Sequence, residues 1–308
     1  MRNQAFIERA RELGFIAAGF SQPQTPLYFD FFLRWLREVE VGDMAYLKRN
    51  IGLRRNPGRL LEGLRTVISL AYPYPARKPS TPDGYTVSRY STPQQQDYHL
   101  RLRGLGRQLC KLIKETVPES RSRVCVDSAP ILERSFAAAS GIGFIGKNNM
   151  LILPGHGSYC FLVEILTTVQ FSIHPLKEPE DRCGSCSQCI DRCPTGALKA
   201  QFYLDASRCL SYLTIESEAP IERATAAKMG STFFGCDVCQ EVCPFNRKDP
   251  PLVSLPSRDS ILSMTETDFK GAFGNTAFAR AGLGKLKRNI RALTSHSQFP
   301  PGSAPGCK

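Results

Sequence analysis

The stretch that decides the fold reads Cys183-Gly-Ser-Cys186-Ser-Gln-Cys189-Ile-Asp-Arg-Cys193-Pro194. Its spacing, C-x2-C-x2-C-x3-C-P, is typical of loops that hold [4Fe–4S] cubanes. The first three thiolates can bind three irons of one cubane, whereas the fourth points away and ligates a second cubane. We expect Cys193 to begin a short helix, because Pro194 suits a first helical turn.

A second run, Cys236-Asp-Val-Cys239-Gln-Glu-Val-Cys243-Pro244, repeats the C-x2-C-x3-C-P ending. Phe233 stands where its leading cysteine would be, and Cys209 is the only spare thiol nearby. We therefore expect two sets of four ligands, Cys183, Cys186, Cys189 and Cys243 in one, and Cys193, Cys209, Cys236 and Cys239 in the other.

The twelve cysteines indicate metal binding and not a disulfide framework, because a cytoplasmic protein keeps its thiols reduced. Two zinc sites are the alternative, since zinc accepts four thiolates tetrahedrally. Zinc does not require the long run or its repeat, so the spacing favours two [4Fe–4S] clusters.

Composition is that of a globular protein of two domains, or of one large domain with an appendage. The 308 residues are 42% hydrophobic and 22% charged, which excludes wholesale disorder. No run of about 18 uncharged apolar residues predicts a membrane span. The N-terminus lacks the apolar core of a secretory signal, so we expect a cytoplasmic protein with no membrane partner.

The net charge of +12 favours an anionic partner such as nucleic acid. Between Lys270 and Lys308 there are seven bases and no acid, and this stretch could contact phosphates. The alternative is that these bases form solvated faces that bind nothing.

The first part of the chain has an α/β character. Helical patterns cover 3–13, 28–39, 97–115 and 130–140, and strand-like apolar runs cover 66–71, 123–127, 149–153 and 160–170. We expect a proline-rich loop over 72–84. The predicted organisation is an α/β domain over 1–172, a ferredoxin-like two-cluster domain over 173–250, a helical segment over 251–293 and a disordered tail over 294–308.

The segment Gly141-Ile-Gly143-Phe-Ile-Gly146-Lys147-Asn148 matches G-x-G-x-x-G and nearly matches a P-loop. Both motifs need a strand before and a helix after. Here a helical pattern precedes, with Gly141 placed as its stop, and a strand-like run follows. We therefore expect no nucleotide site here.

The 182 residues before Cys183 must do more than carry clusters, because a two-cluster domain needs only about 60 residues. Two cubanes in series form a path for single electrons. The sequence therefore predicts a reductase in which the clusters supply a second redox centre beside the substrate.

Several motifs together resemble the epoxyqueuosine reductase family. They are Ser88-Arg-Tyr90, Asp97-Tyr-His99, Val126-Asp-Ser-Ala-Pro-Ile-Leu-Glu-Arg134, Gly143-Phe-Ile-Gly-Lys-Asn148 and the two cluster runs. The resemblance implies an N-terminal cobalamin-binding domain and reduction of epoxyqueuosine to queuosine at the wobble position of tRNA. It also implies an external low-potential electron donor, and we expect a monomer.

The resemblance places the proton donor for the leaving oxygen at Asp127. We expect an apolar pocket and the corrin face to raise the pKa of Asp127, which would keep the acid protonated near neutrality. The alternative is that Asp127 is the N-cap of the helix predicted over 130–140.

The resemblance also implies a set of cobalamin contacts, namely Arg54, Arg89, Tyr90, His99, Lys147, Asn148 and Ser158. Asp97-Tyr-His99 only superficially matches a cobalt-ligating D-x-H-x-x-G motif, because Leu102 replaces the glycine, so the lower ligand of the cobalt stays open. Glu133 and Arg134 form an ion pair or contact tRNA.

The family usually continues into C-terminal helical repeats, of which 279–293 resembles only the opening. A cobalamin-dependent reductive dehalogenase is one alternative function, although such enzymes are typically exported. A non-catalytic ferredoxin-type electron carrier is the other.

Overall fold

The computed structural model describes residues 3–75, 77–93, 96–173, 182–247 and 249–295. Its helices are α1 Asn3–Glu12, α2 Phe29–Glu38, α3 Ile51–Arg55, α4 Tyr98–Thr116, α5 Glu133–Ala139, α6 Gln188–Asp191, α7 Leu210–Ile215, α8 Arg223–Ala226, α9 Val238–Glu241, α10 Arg258–Ser263, α11 Glu266–Phe273 and α12 Gly282–Thr294. Its strands are β1 Ala17–Ser21, β2 Thr66–Pro73, β3 Pro79–Ser80, β4 Thr86–Val87, β5 Ser122–Cys125, β6 Phe144–Ile145, β7 Leu151–Ile152, β8 Cys160–Thr167, β9 Leu198–Ala200, β10 Tyr203–Leu204, β11 Thr232–Phe234 and β12 Leu252–Val253. The α/β prediction is confirmed.

The central sheet has the strand order β1-β2-β8-β5, and every pair in it is antiparallel. Strands β2 and β8 are apolar along most of their length because helices cover both faces of the sheet. On one face, α1 and α4 bury Phe6, Leu109 and Ile113 against Ile68 and Ile165. On the other face, α5 buries Phe136 against Val67 and Leu166.

A second sheet joins the first part of the chain to the cluster segment. Its order is β11-β4-β3-β12, so strands from 79–87 pair with strands from 232–253. The prediction of a loop across all of 72–84 is therefore wrong in two places, because β2 extends to Pro73 and Pro79–Ser80 form the strand β3. A proline at the start of a short strand has no ladder hydrogen bond to lose.

The cluster loops contain two short helices of matching position, α6 after Cys186 and α9 after Cys236. The prediction that Cys193 begins a helix is wrong. Helix α6 ends at Asp191, and Cys193 follows it in a turn. The residue before a proline disfavours helical backbone, so the Cys-Pro pair terminates the helix.

The glycine-rich segment 141–148 follows a helix, as its sequence predicts. Gly141 has a φ of +79° after α5, and β6 and β7 then form a hairpin with Lys147 in its loop. A side chain at Gly143 would meet the carbonyl oxygen of Ile152 at 2.5 Å, so the hairpin itself explains that glycine. No helix follows Lys147 directly, which excludes the P-loop.

The C-terminal part of the chain is helical, as predicted, in α10, α11 and α12, although 251–293 also contains the strand β12. Their apolar side chains share one core with Val87 of β4 and Phe234 of β11, so this core crosses the predicted boundary at residue 250. The predicted domain limits stay predictions. Of the tail predicted over 294–308, residues 296–308 lie outside the described residues. Within the described ranges, no helix is long and apolar enough to cross a membrane.

Candidate active site and cluster-binding loops

Asp127 lies in the loop that follows β5, two residues beyond the end of the strand. Its backbone has a φ of +49°, a left-handed conformation that Asp tolerates better than most residues. The backbone N–H of Asp127 donates to Oε1 of Glu133 at 2.5 Å, and Glu133 opens α5. The N-cap alternative is wrong, because the residue that precedes α5 is Leu132.

Asp127, His99 and Asp97 form one hydrogen-bonded chain. Asp97 is the N-cap of α4, and its Oδ1 accepts from the backbone N–H of His99 and lies 2.8 Å from Nδ1 of the same residue. The other ring nitrogen, Nε2, lies 3.0 Å from Oδ2 of Asp127. Since both nitrogens face carboxylate oxygens, a protonated imidazole can donate to both.

The charges of this chain follow from its contacts. Burial lowers the pKa of His99, but the hydrogen bonds and charges of Asp127 and Asp97 outweigh burial and raise the pKa above its usual value. Burial raises the pKa of Asp127, but the hydrogen bond and charge of His99 outweigh it, and the net pKa is lowered. The expectation of a raised Asp127 pKa is therefore wrong for the protein without its cofactor, because the pocket supplies an imidazolium where an apolar wall was expected.

A cleft lies beside the hydrogen-bonded residues Asp127, His99 and Asp97, and aromatic rings line it. Tyr98 stacks on His99 at 4.0 Å between centroids and on Phe161 at 4.3 Å, and Tyr90 meets Tyr98 edge to face. The Nε of Arg101, in the same cleft, is buried and has no hydrogen-bond partner. The motifs predicted Tyr90 and His99. Arg101 has no motif of its own, although its position one turn after Asp97 on α4 could have indicated it.

The C-terminal helical segment supplies another wall of the cleft. Ala277 lines it, and Arg280 is close enough for its charge to lower the pKa of Asp127. The Nε of Arg280 donates to Oε1 of Glu216 at 2.7 Å, which fixes the guanidinium. The segment after residue 250 therefore belongs to the site, which the sequence did not predict.

Three residues predicted to contact cobalamin form hydrogen bonds with the second cluster loop, residues 236–243. Arg89 donates from its backbone N–H to Asp237 at 2.8 Å and from its guanidinium to Glu241 at 2.5 Å. Nδ2 of Asn148 donates to the carbonyl oxygen of Cys239, and the buried Oγ of Ser158 donates to Gln240. These contacts seat the second cluster loop against the first part of the chain. A role at cobalamin stays a prediction for all three.

Lys147 and Arg54 lie in other surroundings. Nζ of Lys147 donates to the carbonyl oxygen of Gly184 in the first cluster loop at 2.5 Å. The buried guanidinium of Arg54 donates to the carbonyl oxygen of Arg49 at 2.6 Å, and burial lowers its pKa. The structure thus brings Tyr90 and His99 to Asp127, and no contact described here brings Lys147 or Arg54 there.

Several cluster cysteines lie near enough to members of their predicted set to affect the pKa of one another. Burial raises the pKa of Cys243, and the charges of Cys183 and Cys186 raise it further. Cys189 responds in the same way to burial, Cys183 and Cys243.

In the second set, burial raises the pKa of Cys239, followed by the charges of Cys236 and Cys209. Burial also raises the pKa of Cys209, with a further contribution from Cys193. The charge of Cys189, from the first set, also raises the pKa of Cys239, so the assignment of each cysteine to one cluster stays a prediction. Thiolates held close together suit a site that binds positive iron.

Among the residues that the structure describes, no three His, Cys, Asp or Glu side chains converge on a single-ion site. A cubane spreads its four thiolates around a cluster larger than one ion.

Two further acids lie behind Asp127. Burial and the charge of Asp127 raise the pKa of Glu133 to about 8. Glu164, fully buried in β8, has no hydrogen-bond partner for either oxygen, and burial followed by the charge of Glu133 raises its pKa well above the usual value. Burial therefore favours the neutral form of both acids. Arg134 donates to the carbonyl oxygen of Asn149, so Glu133 and Arg134 bond to different partners.

Comparison with known proteins places these features in a family. The model of the epoxyqueuosine reductase QueG family matches residues 54–128, and the model of a 4Fe-4S double cluster binding domain matches residues 182–246. The epoxyqueuosine reductase of Cellulophaga algicola is 35% identical over 301 residues, which are 92% of this chain and 95% of that protein. The chain belongs to the epoxyqueuosine reductase family. Its cluster segment is a domain that binds two [4Fe–4S] clusters.

Other members of the family are similar to this chain over most of its length. The epoxyqueuosine reductase of Pseudomonas aeruginosa is 35% identical, with 93% of this chain and 83% of that protein covered. A crystal structure of an epoxyqueuosine reductase with an epoxyqueuosine-modified tRNA-Tyr stem loop matches with a TM-score of 0.83 and 29% identity, over 96% of this chain and 81% of that one. A Bacillus subtilis epoxyqueuosine reductase, solved with an aspartate catalytic loop swung out of the active site, matches with the same TM-score and identity.

Proposed function

We propose that this protein reduces epoxyqueuosine to queuosine at the wobble position of tRNA. The observation that carries the proposal is the hydrogen bond between Asp127 and His99 beside an aromatic cleft, in a chain of the epoxyqueuosine reductase family that also has a domain for two [4Fe–4S] clusters. A ferredoxin-type carrier would need the thiols but not the cleft, and the aspartate–histidine pair is therefore unexplained by that alternative.

The reaction needs two electrons and two protons to remove the epoxide oxygen as water. When bound, the two clusters and cobalamin supply the electrons at low potential. Asp127 and His99 supply one of the two protons, and solvent supplies the other. The imidazolium of His99 holds its proton at Nε2, 3.0 Å from Oδ2 of Asp127, and Asp127 passes that proton to the leaving oxygen.

The ring of His99 is positioned for this transfer by two neighbours. Asp97 fixes its Nδ1, and Tyr98 stacks on its face. The proton moves from Nε2 of His99 to Asp127 along their hydrogen bond as Asp127 protonates the leaving oxygen. The donor is therefore the pair, and the low pKa of Asp127 in the free protein does not prevent the transfer.

The cleft fits cobalamin in chemistry. Tyr90 contributes an aromatic ring to the lining of the cleft, and the unpartnered Nε of Arg101 can donate to an amide oxygen at the edge of a corrin. We infer that Tyr90, His99 and Arg101 contact the cofactor. Arg89, Asn148 and Ser158 act by seating the second cluster loop beside it.

The tRNA substrate suits the charge of the protein. Its net charge is +12, and Arg280 places a cation next to Asp127. We infer that Arg280 contacts a phosphate or the nucleoside, and that the protein works in the cytoplasm, where tRNA is. Binding through phosphates would weaken steeply with salt.

Analysis of tRNA nucleosides from a strain that lacks this gene tests the function. The proposal predicts that epoxyqueuosine accumulates and that the wild-type gene restores queuosine. Unchanged queuosine in the deletion strain, in the absence of a second enzyme of this family, would refute it.

A further inference from the structure

The backbone at Asp127 forms a tight and strained turn. The N–H of Ser128 donates to the carbonyl oxygen of Val126 at 2.6 Å, so the chain reverses direction across Asp127 alone. Together with the φ of +49° at Asp127, this bond defines a γ-turn of the rare kind whose central residue has a positive φ. Strained turns of this kind persist where the surrounding groups hold them in place.

Two side chains from helices hold this turn. Oε1 of Glu133 accepts the backbone N–H of Asp127 at 2.5 Å, and Nη2 of Arg103 on α4 donates to Oγ of Ser128 at 2.8 Å. Asp127 and Ser128 are both exposed, so burial contributes little to holding them. The contact from Glu133 is the one that acts on the backbone of Asp127 itself.

Glu133 has a rigid base. It is the first residue of α5, and Phe136 of the same helix is buried against Val67 and Leu166 of the central sheet. Burial and the charge of Asp127 raise the pKa of Glu133 to about 8. The neutral form that burial favours can accept the N–H of Asp127 without a second full negative charge beside that carboxylate.

We infer that Glu133 is a positioning residue for the proton transfer. By accepting the N–H of Asp127, it holds the turn that directs the carboxyl of Asp127 toward His99, whose Nε2 lies 3.0 Å away. The inference rests on the proposed function, in which Asp127 passes the proton to the leaving oxygen. A displacement of about 1 Å at a reacting group can lower a rate by roughly a hundredfold, so a relaxed turn is costly.

Single turnover of an epoxyqueuosine stem loop by the full chain, loaded with clusters and cobalamin, tests the inference. In E133A the acceptor is lost, and we expect the rate to fall about tenfold or more with an unchanged Kd for the stem loop. E133Q keeps an oxygen that accepts the N–H but cannot act as an acid, so its rate should stay near that of wild type. E119A, at an exposed acid, is the control.

The pH profile of single turnover separates positioning from a general loss of structure. The hydrogen bond and charge of Asp127 help to raise the pKa of His99. In E133A the fall in rate with rising pH should therefore begin at a lower pH, and in E133Q it should stay where wild type has it. A partly unfolded protein would react more slowly at every pH without this shift.

A crystal structure of E133A supplies a measure that does not depend on turnover. We expect Asp127 to lose the positive φ and the contact with His99, and an unchanged turn would overturn the inference. Equal losses of rate in E133A and E133Q would also overturn it, because Glu133 would then act as an acid of its own. Failure of wild type to convert the stem loop would instead refute the proposed function and leave the structural result to decide the role of Glu133.

Discussion

At the scale of single residues, the site depends on how Asp127 and His99 share a proton. The carboxylates of Asp127 and Asp97 raise the pKa of His99, and the charge of His99 lowers the pKa of Asp127. The stabilising contribution of Asp127 is present above its unfolded pKa of about 3.9 and is lost as the pH falls. That of His99 is complete below about pH 6.5 and is lost as the pH rises through its raised pKa.

Replacement of Asp127 by Asn removes the last proton carrier and keeps the shape of the side chain. We expect turnover to fall roughly hundredfold or more, which is the usual contribution of a general acid. Single-turnover measurement with a stem loop checks this, while visible spectra confirm that clusters and cobalamin are still bound. Near-normal turnover would exclude the donor role.

Replacement of His99 by Gln removes the imidazolium but keeps a hydrogen-bond donor near Asp127. The pKa of Asp127 should rise, because burial is no longer opposed by the charge of His99. In wild type we expect the rate to fall as the pH rises through the raised pKa of His99, and in H99Q this fall should move to lower pH. A pH profile of single turnover checks the shift, and identical profiles would contradict the shared proton.

At the scale of elements, two short cluster loops and one buried strand determine the site. The spacing of the cysteines predicted the crossed ligand sets because it is a local property of each loop. It did not predict where α6 ends, nor that Pro79–Ser80 pairs with Leu252–Val253, because a strand of two residues has no periodicity. The pKa of Asp127 also escaped prediction, since His99 is 28 residues away in the chain.

In the predicted ligand sets, Cys209 is the fourth ligand of the cluster held by Cys193, Cys236 and Cys239, although it lies outside both runs. We expect C209S to retain about four iron atoms per chain, against about eight in wild type. Iron and sulfide analysis of anaerobically purified protein checks this. C110A is the control, because Cys110 packs against the apolar core between α1, α4 and the central sheet. This variant should keep all the iron. Full iron content in C209S would contradict the set.

Glu164 tests the buried acids of β8. The pKa of Glu164 is higher in the folded than in the unfolded protein. Its contribution to stability is therefore fully present below the unfolded pKa of about 4.3 and is lost as the pH rises toward the folded pKa. E164Q removes this loss, so its melting temperature relative to wild type should increase from pH 5 to pH 8, by several degrees at about 1.4 kcal/mol per pH unit at most. Thermal unfolding at both pH values checks this.

The exposed Glu119 provides the control E119Q, for which we expect no comparable pH-dependent gain. A difference between E164Q and wild type that is the same at both pH values would show that Glu164 is ionised in the folded protein.

At the scale of the whole molecule, the second sheet and the shared C-terminal core make one reaction path out of three parts of the chain. Strands β3 and β4 pair with strands on either side of the second cluster loop. This pairing packs Cys236 and Tyr90 against the same core. The C-terminal helices then place Arg280 near Asp127.

The most direct measurement is conversion of an epoxyqueuosine-modified tRNA stem loop by the full chain, loaded with both clusters and cobalamin and reduced with dithionite. Mass spectrometry of the digested RNA should show queuosine, one oxygen lighter than the starting nucleoside, and omission of cobalamin should abolish the change. Intact epoxyqueuosine after incubation with the fully loaded, reduced protein would contradict the account.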